Sequence, residues 1–203
     1  MRKQFVSQVG INDADYVVSR KINGKYVECK IYSIWRHMIK RCYNNSTARN
    51  LLAYKDCTVA PEWHRFSDFK AWHDVQEYTE GKQLDKDIIY PGNKVYSPNT
   101  CVYVSSELNK LFTKANSIRG EYPIGVSKKS DLKTTPYRSI IKKNGKLHVL
   151  GYYSTPEEAH QVYVQEKIKY IQDYYLLKET DQRIIDGLNR WIEVLRNGGY
   201  DSV

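Results

Sequence analysis

The sequence predicts an α+β fold in two parts. The first is a helix-containing unit built around two strands and a helix. The second is a three-stranded antiparallel sheet packed on a helix. Three observations predict it. Residues 84–109, LDKDIIYPGNKVYSPNTCVYVSSELN, read as strand, Gly-Asn turn, strand and helix. Asn144-Gly145 stands between two short apolar runs, the strongest hairpin signal in the chain. Thr155-Pro156-Glu157-Glu158 supplies an N-cap, a first-turn proline and a capping-box Glu, so a helix starts there.

The elements follow in chain order. Residues 1–28 are expected to form an extended arm or short hairpin turning at Asn23-Gly24. Ile31, Trp35, Met38 and Cys42 fall on one helical stripe, so 31–44 is a helix ended by Asn44-Asn45-Ser46. Residues 57–59 are a short strand. A second helix runs over 67–78, with Ser67 as its cap and Gly81 closing it. Residues 84–90 and 95–104 are expected to pair as a hairpin around Gly92-Asn93, and Ser105 caps the next helix. Residues 113–122 hold few large apolar side chains and precede Pro123, which reads as a linker. Domain limits are placed at 1–113, 114–122 and 123–203. Three strands, 125–129, 137–142 and 147–153, then lead into a helix over 156–175 with Val164, Ile168, Ile171 and Tyr175 on one face. A last helix begins near Asp181, carries Ile184, Leu188, Trp191 and Leu195, and stops at Gly198-Gly199.

The chain has 203 residues, 41% of them hydrophobic, enough for one large core or two small ones. Tyr is abundant (18) and Phe scarce (4), so much of the apolar surface carries a hydroxyl. The net charge of +9 favours a polyanionic partner, and nucleic acid is the default. Most of that charge lies in 114–150. Nine Lys and Arg there (Lys114, Arg119, Lys128, Lys129, Lys133, Arg138, Lys142, Lys143 and Lys146) face only Glu121 and Asp131. Lys128, Lys129, Arg138, Lys142, Lys143 and Lys146 are the candidate contacts to double-stranded DNA. No apolar run approaches the length of a membrane span, so no membrane partner is expected. The first residues lack a signal-peptide core, which points to an intracellular protein with reduced thiols. Cys29, Cys42, Cys57 and Cys101 could bind structural Zn²⁺. Their long spacing, without a Cys-x-x-Cys pair, favours buried free thiols instead.

Particular residue runs resemble known families. WRHMIKRCY (35–43), CTVAPEWHRFSDFKAW (57–72), LDKDI (84–88), GNKVYSPNTCVYV (92–104) and Asn109 resemble the phage-borne HNH homing-endonuclease-like proteins, over about the first half of the chain. Residues 122–175 resemble the plant ethylene-response-factor (APETALA-type) DNA-binding domain through Gly125-Val126, Tyr137, Leu150-Gly151, Tyr153-Ser154-Thr155 and Glu157-Glu158-Ala159. The first resemblance implies a ββα-metal unit that hydrolyses DNA phosphodiesters with Mg²⁺. It implies Asp85 as metal ligand, Asn109 completing the site from the helix, and a phage gene expressed in a bacterial cytoplasm. It also implies a His base where Lys86 stands, and a loop Asn where Thr100 stands, one residue after Asn99. An ordinary Lys is protonated at neutral pH and makes a poor base. Lys86 is therefore expected to contact phosphate, leaving His73 or His64 to act as base. The second resemblance implies that Ser127, Lys129, Ile140, Lys142, Leu147 and Val149 line the DNA-facing sheet. Two of these are basic and three apolar, so phosphate holding outweighs guanine readout. An inactive HNH-like protein that occupies DNA, or that binds a phage or host protein through the apolar sheet face, is the competing expectation.

Overall fold

A computed structural model describes residues 4–44, 54–77, 79–113 and 121–198. It is α+β, and the chain divides into two compact units, Met1–Val104 and Ser105–Val203. Lys114, Arg119, Tyr78, Gly199 and most of the expected linker lie outside the described residues. Among the described residues no helix is long and apolar enough to cross a membrane.

The first unit opens with two hairpins where one was expected. Strands β1 (Gln4–Val6) and β2 (Gly10–Asn12) pair antiparallel, as do β3 (Ser19–Ile22) and β4 (Lys25–Glu28). Asn23 and Gly24 both take positive φ, as a two-residue turn between such strands requires. Helix α1 (Lys30–Tyr43) buries Tyr32, Trp35, Met38 and Ile39. Strand β5 (Thr58–Val59) and a 3₁₀ turn, Pro61–Trp63, lead to α2 (Phe66–Asp74). Ser67 does not cap α2. Asp13 does so from far away in the chain, accepting from the Ser67 N–H (2.9 Å), the Ser67 hydroxyl (2.8 Å) and Arg65 (3.0 Å). Trp35, Trp63, Phe66 and Phe69 form the middle of the core. The Trp35 indole N–H donates to the Trp63 carbonyl at 2.8 Å.

The antiparallel pairing expected between 84–90 and 95–104 forms only at the ends away from Gly92-Asn93. Strand β6 (Gln83–Asp85) pairs with β8 (Val102–Val104), Leu84 opposite Tyr103 and Asp85 opposite Val102. Between them β7 (Val95–Tyr96) pairs in parallel with β5. Gly92-Asn93 still turns the chain, but the Asn93 side chain does the fastening. Its amide donates to the carbonyls of Lys86 (2.8 Å) and Val95 (2.7 Å). A partner as remote as β5 is invisible to local pattern.

The second unit starts with α3 (Ser106–Leu111), where the Ser105 hydroxyl accepts from the Leu108 N–H at 3.1 Å. Phe112, just after α3, stacks on Trp191 with centroids 4.5 Å apart. That contact ties α3 to the second core, ahead of the segment read as a linker. The sheet has the order β11-β10-β9, from β9 (Val126–Lys128), β10 (Tyr137–Lys143) and β11 (Lys146–Tyr153). Asn144 and Gly145 have positive φ, so the hairpin turn is the one that the sequence predicts. A bulge at Leu150 shifts the β10–β11 register between Ser139 and Ile140.

Helix α4 (Pro156–Tyr170) carries the full Thr155–Glu158 capping box and runs on as a π turn, Ile171–Leu176. Its buried face is Ala159, Tyr163, Lys167 and Tyr170; of the expected stripe Ile171 is buried, while Val164, Ile168 and Tyr175 are half-buried. Helix α5 (Gln182–Arg196), capped by Asp181, buries Ile184, Leu188, Trp191 and Leu195.

Candidate functional site

Two groups of candidate residues stand in the two units. In the first, Asp85 ends β6. Its Oδ1 accepts from the N–H groups of Asp87 and Ile88, both at 2.7 Å, an Asx turn that starts the following loop. Burial, then the charge of Asp87, raises the Asp85 pKa above the ordinary range. Mg²⁺ needs a near-octahedral oxygen shell with exposed carboxylate oxygens. The Asx turn engages Oδ1 of Asp85, so Oδ2 is the oxygen that could serve such a shell. Asn109 stands on α3, in the second unit. Among the described residues no three or more His, Cys, Asp and Glu side chains come together to hold a metal ion.

Lys86, expected to contact phosphate, lies inside the first unit. It is only 6% exposed. Its ammonium pairs with the Asp87 carboxylate, donates to the Asn93 carbonyl at 2.8 Å and lies 5.8 Å from the Tyr96 ring centre. Two of its donors are thus engaged within the protein. His73 is also placed away from Asp85. Its Nδ1 is 2.7 Å from the Tyr103 hydroxyl. Tyr103 pairs with Leu84 across the ladder and Val102 with Asp85, and successive strand residues face opposite sides. His73 therefore meets the face of β6–β8 that Asp85 leaves. Burial lowers the His73 pKa, so the ring is neutral at pH 7. His64 is held by its Nε2 at 2.9 Å from the Val59 carbonyl. Thr100, at the position where the resemblance implies a loop Asn, donates its hydroxyl to the Val95 carbonyl at 2.7 Å. The thiols of Cys42 and Cys101 are pushed by burial up to about 12.

The second group is the sheet. Side chains at 137, 139, 141 and 143 of β10 face α4, and Ser139 and Ile141 are buried there. Arg138, Ile140 and Lys142 face the other way. Cross-strand register adds Tyr152, Val149 and Leu147 from β11 and Ser127 from β9 to that open side. Leu147 is 60%, Val149 50% and Tyr152 45% exposed. Arg138 Nε donates to the Ser127 hydroxyl at 3.2 Å, which fixes the guanidinium along the face. Lys129 follows β9 in register, its N–H donating to the Pro136 carbonyl at 2.7 Å, so alternation places it on the open side as well. No Asp or Glu occurs in the three strands.

The six predicted DNA contacts thus divide. Arg138, Lys142 and Lys129 share the open face. Lys143 does not: it pairs with Glu166 of α4 and lies over the Tyr170 ring at 5.3 Å. Lys128 is opposite Tyr137, on the helix side, and over its ring at 5.8 Å. Lys146 stands opposite Lys143 at the exposed hairpin end. Tyr152 was missed. Its place across from Arg138 depends on the bulge at Leu150, and Gly151 is the only local sign of that bulge.

No protein-family model, curated protein or solved structure matches this chain.

Proposed function

We propose that this protein binds double-stranded DNA through the helix-free face of its three-stranded sheet and acts by occupying DNA rather than cutting it. The observation that carries this reading is the open face itself. Arg138, Lys142 and Lys129 stand on one side of a sheet that has no carboxylate, around a set of exposed apolar side chains. Such a face offers phosphate contacts at its edges and apolar contact at its middle. The resemblance of 122–175 to a domain that uses this face on DNA supports it. The placement of His73, a candidate base, against the Tyr103 hydroxyl and on the face of β6–β8 that Asp85 leaves supports occupancy over cleavage, since a base must reach the proton it takes.

Incubation with supercoiled plasmid, with and without Mg²⁺ or Mn²⁺, tests both parts. The expected outcome is a retarded plasmid of unchanged topology. Nicked or linear product that depends on the metal and disappears in Asp85→Ala would restore the nuclease reading. Absence of retardation at low salt would leave the apolar face as a protein-binding surface.

A further inference from the structure

Beyond its first three residues, β10 has lost its β9 neighbour. β9 pairs with Tyr137, Arg138 and Ser139, and one more bond joins the Ile140 N–H to the Gly125 carbonyl at 2.8 Å. From there β10 and β11 continue as a two-stranded ribbon to the Asn144-Gly145 turn. Helix α4 backs one side of that ribbon, through Lys143–Glu166 and through the Tyr170 hydroxyl, which donates to Asn144 Oδ1 at 2.9 Å. The other side is open and carries Ile140, Lys142, Leu147 and Val149. Paired strands lie about 4.8 Å apart, and the major groove of B-DNA, about 12 Å wide, admits a two-stranded ribbon.

We infer that this ribbon enters the major groove and reads the C5-methyl groups of thymine through Leu147, Val149 and Ile140. This rests on the DNA-binding reading and names its preferred substrate, A·T-rich duplex. The argument is one of available chemistry. Guanine is read most specifically by the planar fork of Arg, which the point charge of Lys lacks, and adenine by Asn or Gln. On the open side of the ribbon the only polar side chain is Lys142. Arg138 lies farther back, beside β9 rather than on the two-stranded ribbon, and gives its Nε–H to Ser127. What remains is aliphatic surface, and the thymine methyl is the apolar feature of the groove floor. The occupant is chosen by charge. The three strands hold no acid, and Arg138, Lys142 and Lys129 stand on the same side as the aliphatic patch. A ring of cations around apolar side chains suits methyl groups lying between two rows of phosphate.

The test compares an alternating A·T duplex with the same duplex carrying deoxyuridine for thymidine, measured by titration at fixed low salt. The phosphates, and the edges that hydrogen-bond, are unchanged, and only the methyls are lost. Binding is expected to weaken about 4-fold for each methyl in contact, the worth of one buried CH₂. A mixed-sequence G·C-rich duplex should gain affinity when its cytosines carry the 5-methyl group, which lies at the same place in the groove. The double variant Leu147→Ala, Val149→Ala removes exposed side chains. It should still bind DNA, with its discrimination between thymidine and deoxyuridine cut to the share that Ile140 alone supplies. Equal binding of the two A·T duplexes by the natural chain, or full discrimination by the double variant, overturns the inference and leaves DNA binding standing. Absence of binding to every duplex overturns both.

Discussion

At the scale of single residues, the loop after β6 is held by its own charged side chains. Asp85 caps two N–H groups and Lys86 is folded inward onto Asp87 and Asn93. The Asp85 pKa is raised by burial, so the folded state favours the neutral carboxyl more than the unfolded chain does. The stability from this group is complete below the ordinary aspartate range and is lost as pH rises through the raised value. Asn keeps an oxygen for both N–H groups and never ionises. Asp85→Asn is therefore expected to be at least as stable as the natural chain at pH 7, with its advantage vanishing in acid. Asp85→Ala leaves two N–H groups without their acceptor and should lose about 1–3 kcal/mol. Urea melts of the three forms check this. A loss in Asp85→Asn at pH 7 as large as in Asp85→Ala would mean that the negative charge itself is required.

At the scale of elements, α4 shows how a helix can bury a face that its pattern does not announce. Tyr163 and Lys167 lie inward, and their long stems pack as apolar matter. Lys167 is fully buried, with its ammonium 3.5 Å from the Tyr163 hydroxyl and over the Phe112 ring at 5.3 Å. Burial lowers its pKa to about 7. Between that value and the ordinary lysine range the unfolded chain binds more protons than the folded one, so stability rises with pH across this window. Met has a similar stem and no proton. Lys167→Met is expected to stabilise the protein at about pH 6, on the order of 2 kcal/mol, and to remove the rise towards about pH 9. Denaturation at both pH values reads the difference. An unchanged pH dependence in the variant would show that Lys167 stays charged throughout. The hairpin beside α4 was easier to foresee. Asn144-Gly145 fixes the turn by backbone preference alone, and Tyr170 then ties the turn to the helix.

At the scale of the whole molecule, a net charge of +9 sets a field that draws the chain to any polyanion. Sequence position gave all six basic candidates the same standing, and the fold separates them. Each cation on a duplex phosphate contributes about 0.9 to the slope of log affinity against log salt. Replacing Lys129 and Lys142 together with Ala should flatten that slope by about 1–2. Replacing Lys128 and Lys143 should leave it nearly unchanged, since their charges are turned to the helix side. Affinity titrations of the two double variants over a range of salt decide between them. Equal effects would mean that general charge, not one face, holds the DNA.

The sequence by itself determined what depends on near neighbours. Helices α1 and α5 follow from apolar spacing, the α4 start from its capping box, and the β10–β11 hairpin from Asn-Gly. These are set by backbone preferences and bonds within a few residues. Its charge also indicated the class of partner to test. Tertiary structure alone decided which partners meet across long stretches of chain. It paired β7 with β5, sent Asp13 to cap α2, put Phe112 on Trp191 and turned Lys143 away from the open sheet. The candidate catalytic residues belong to that second category. Whether Asp85, Lys86 and His73 face one another depends on strand pairing and burial, and a pattern of residue types carries neither.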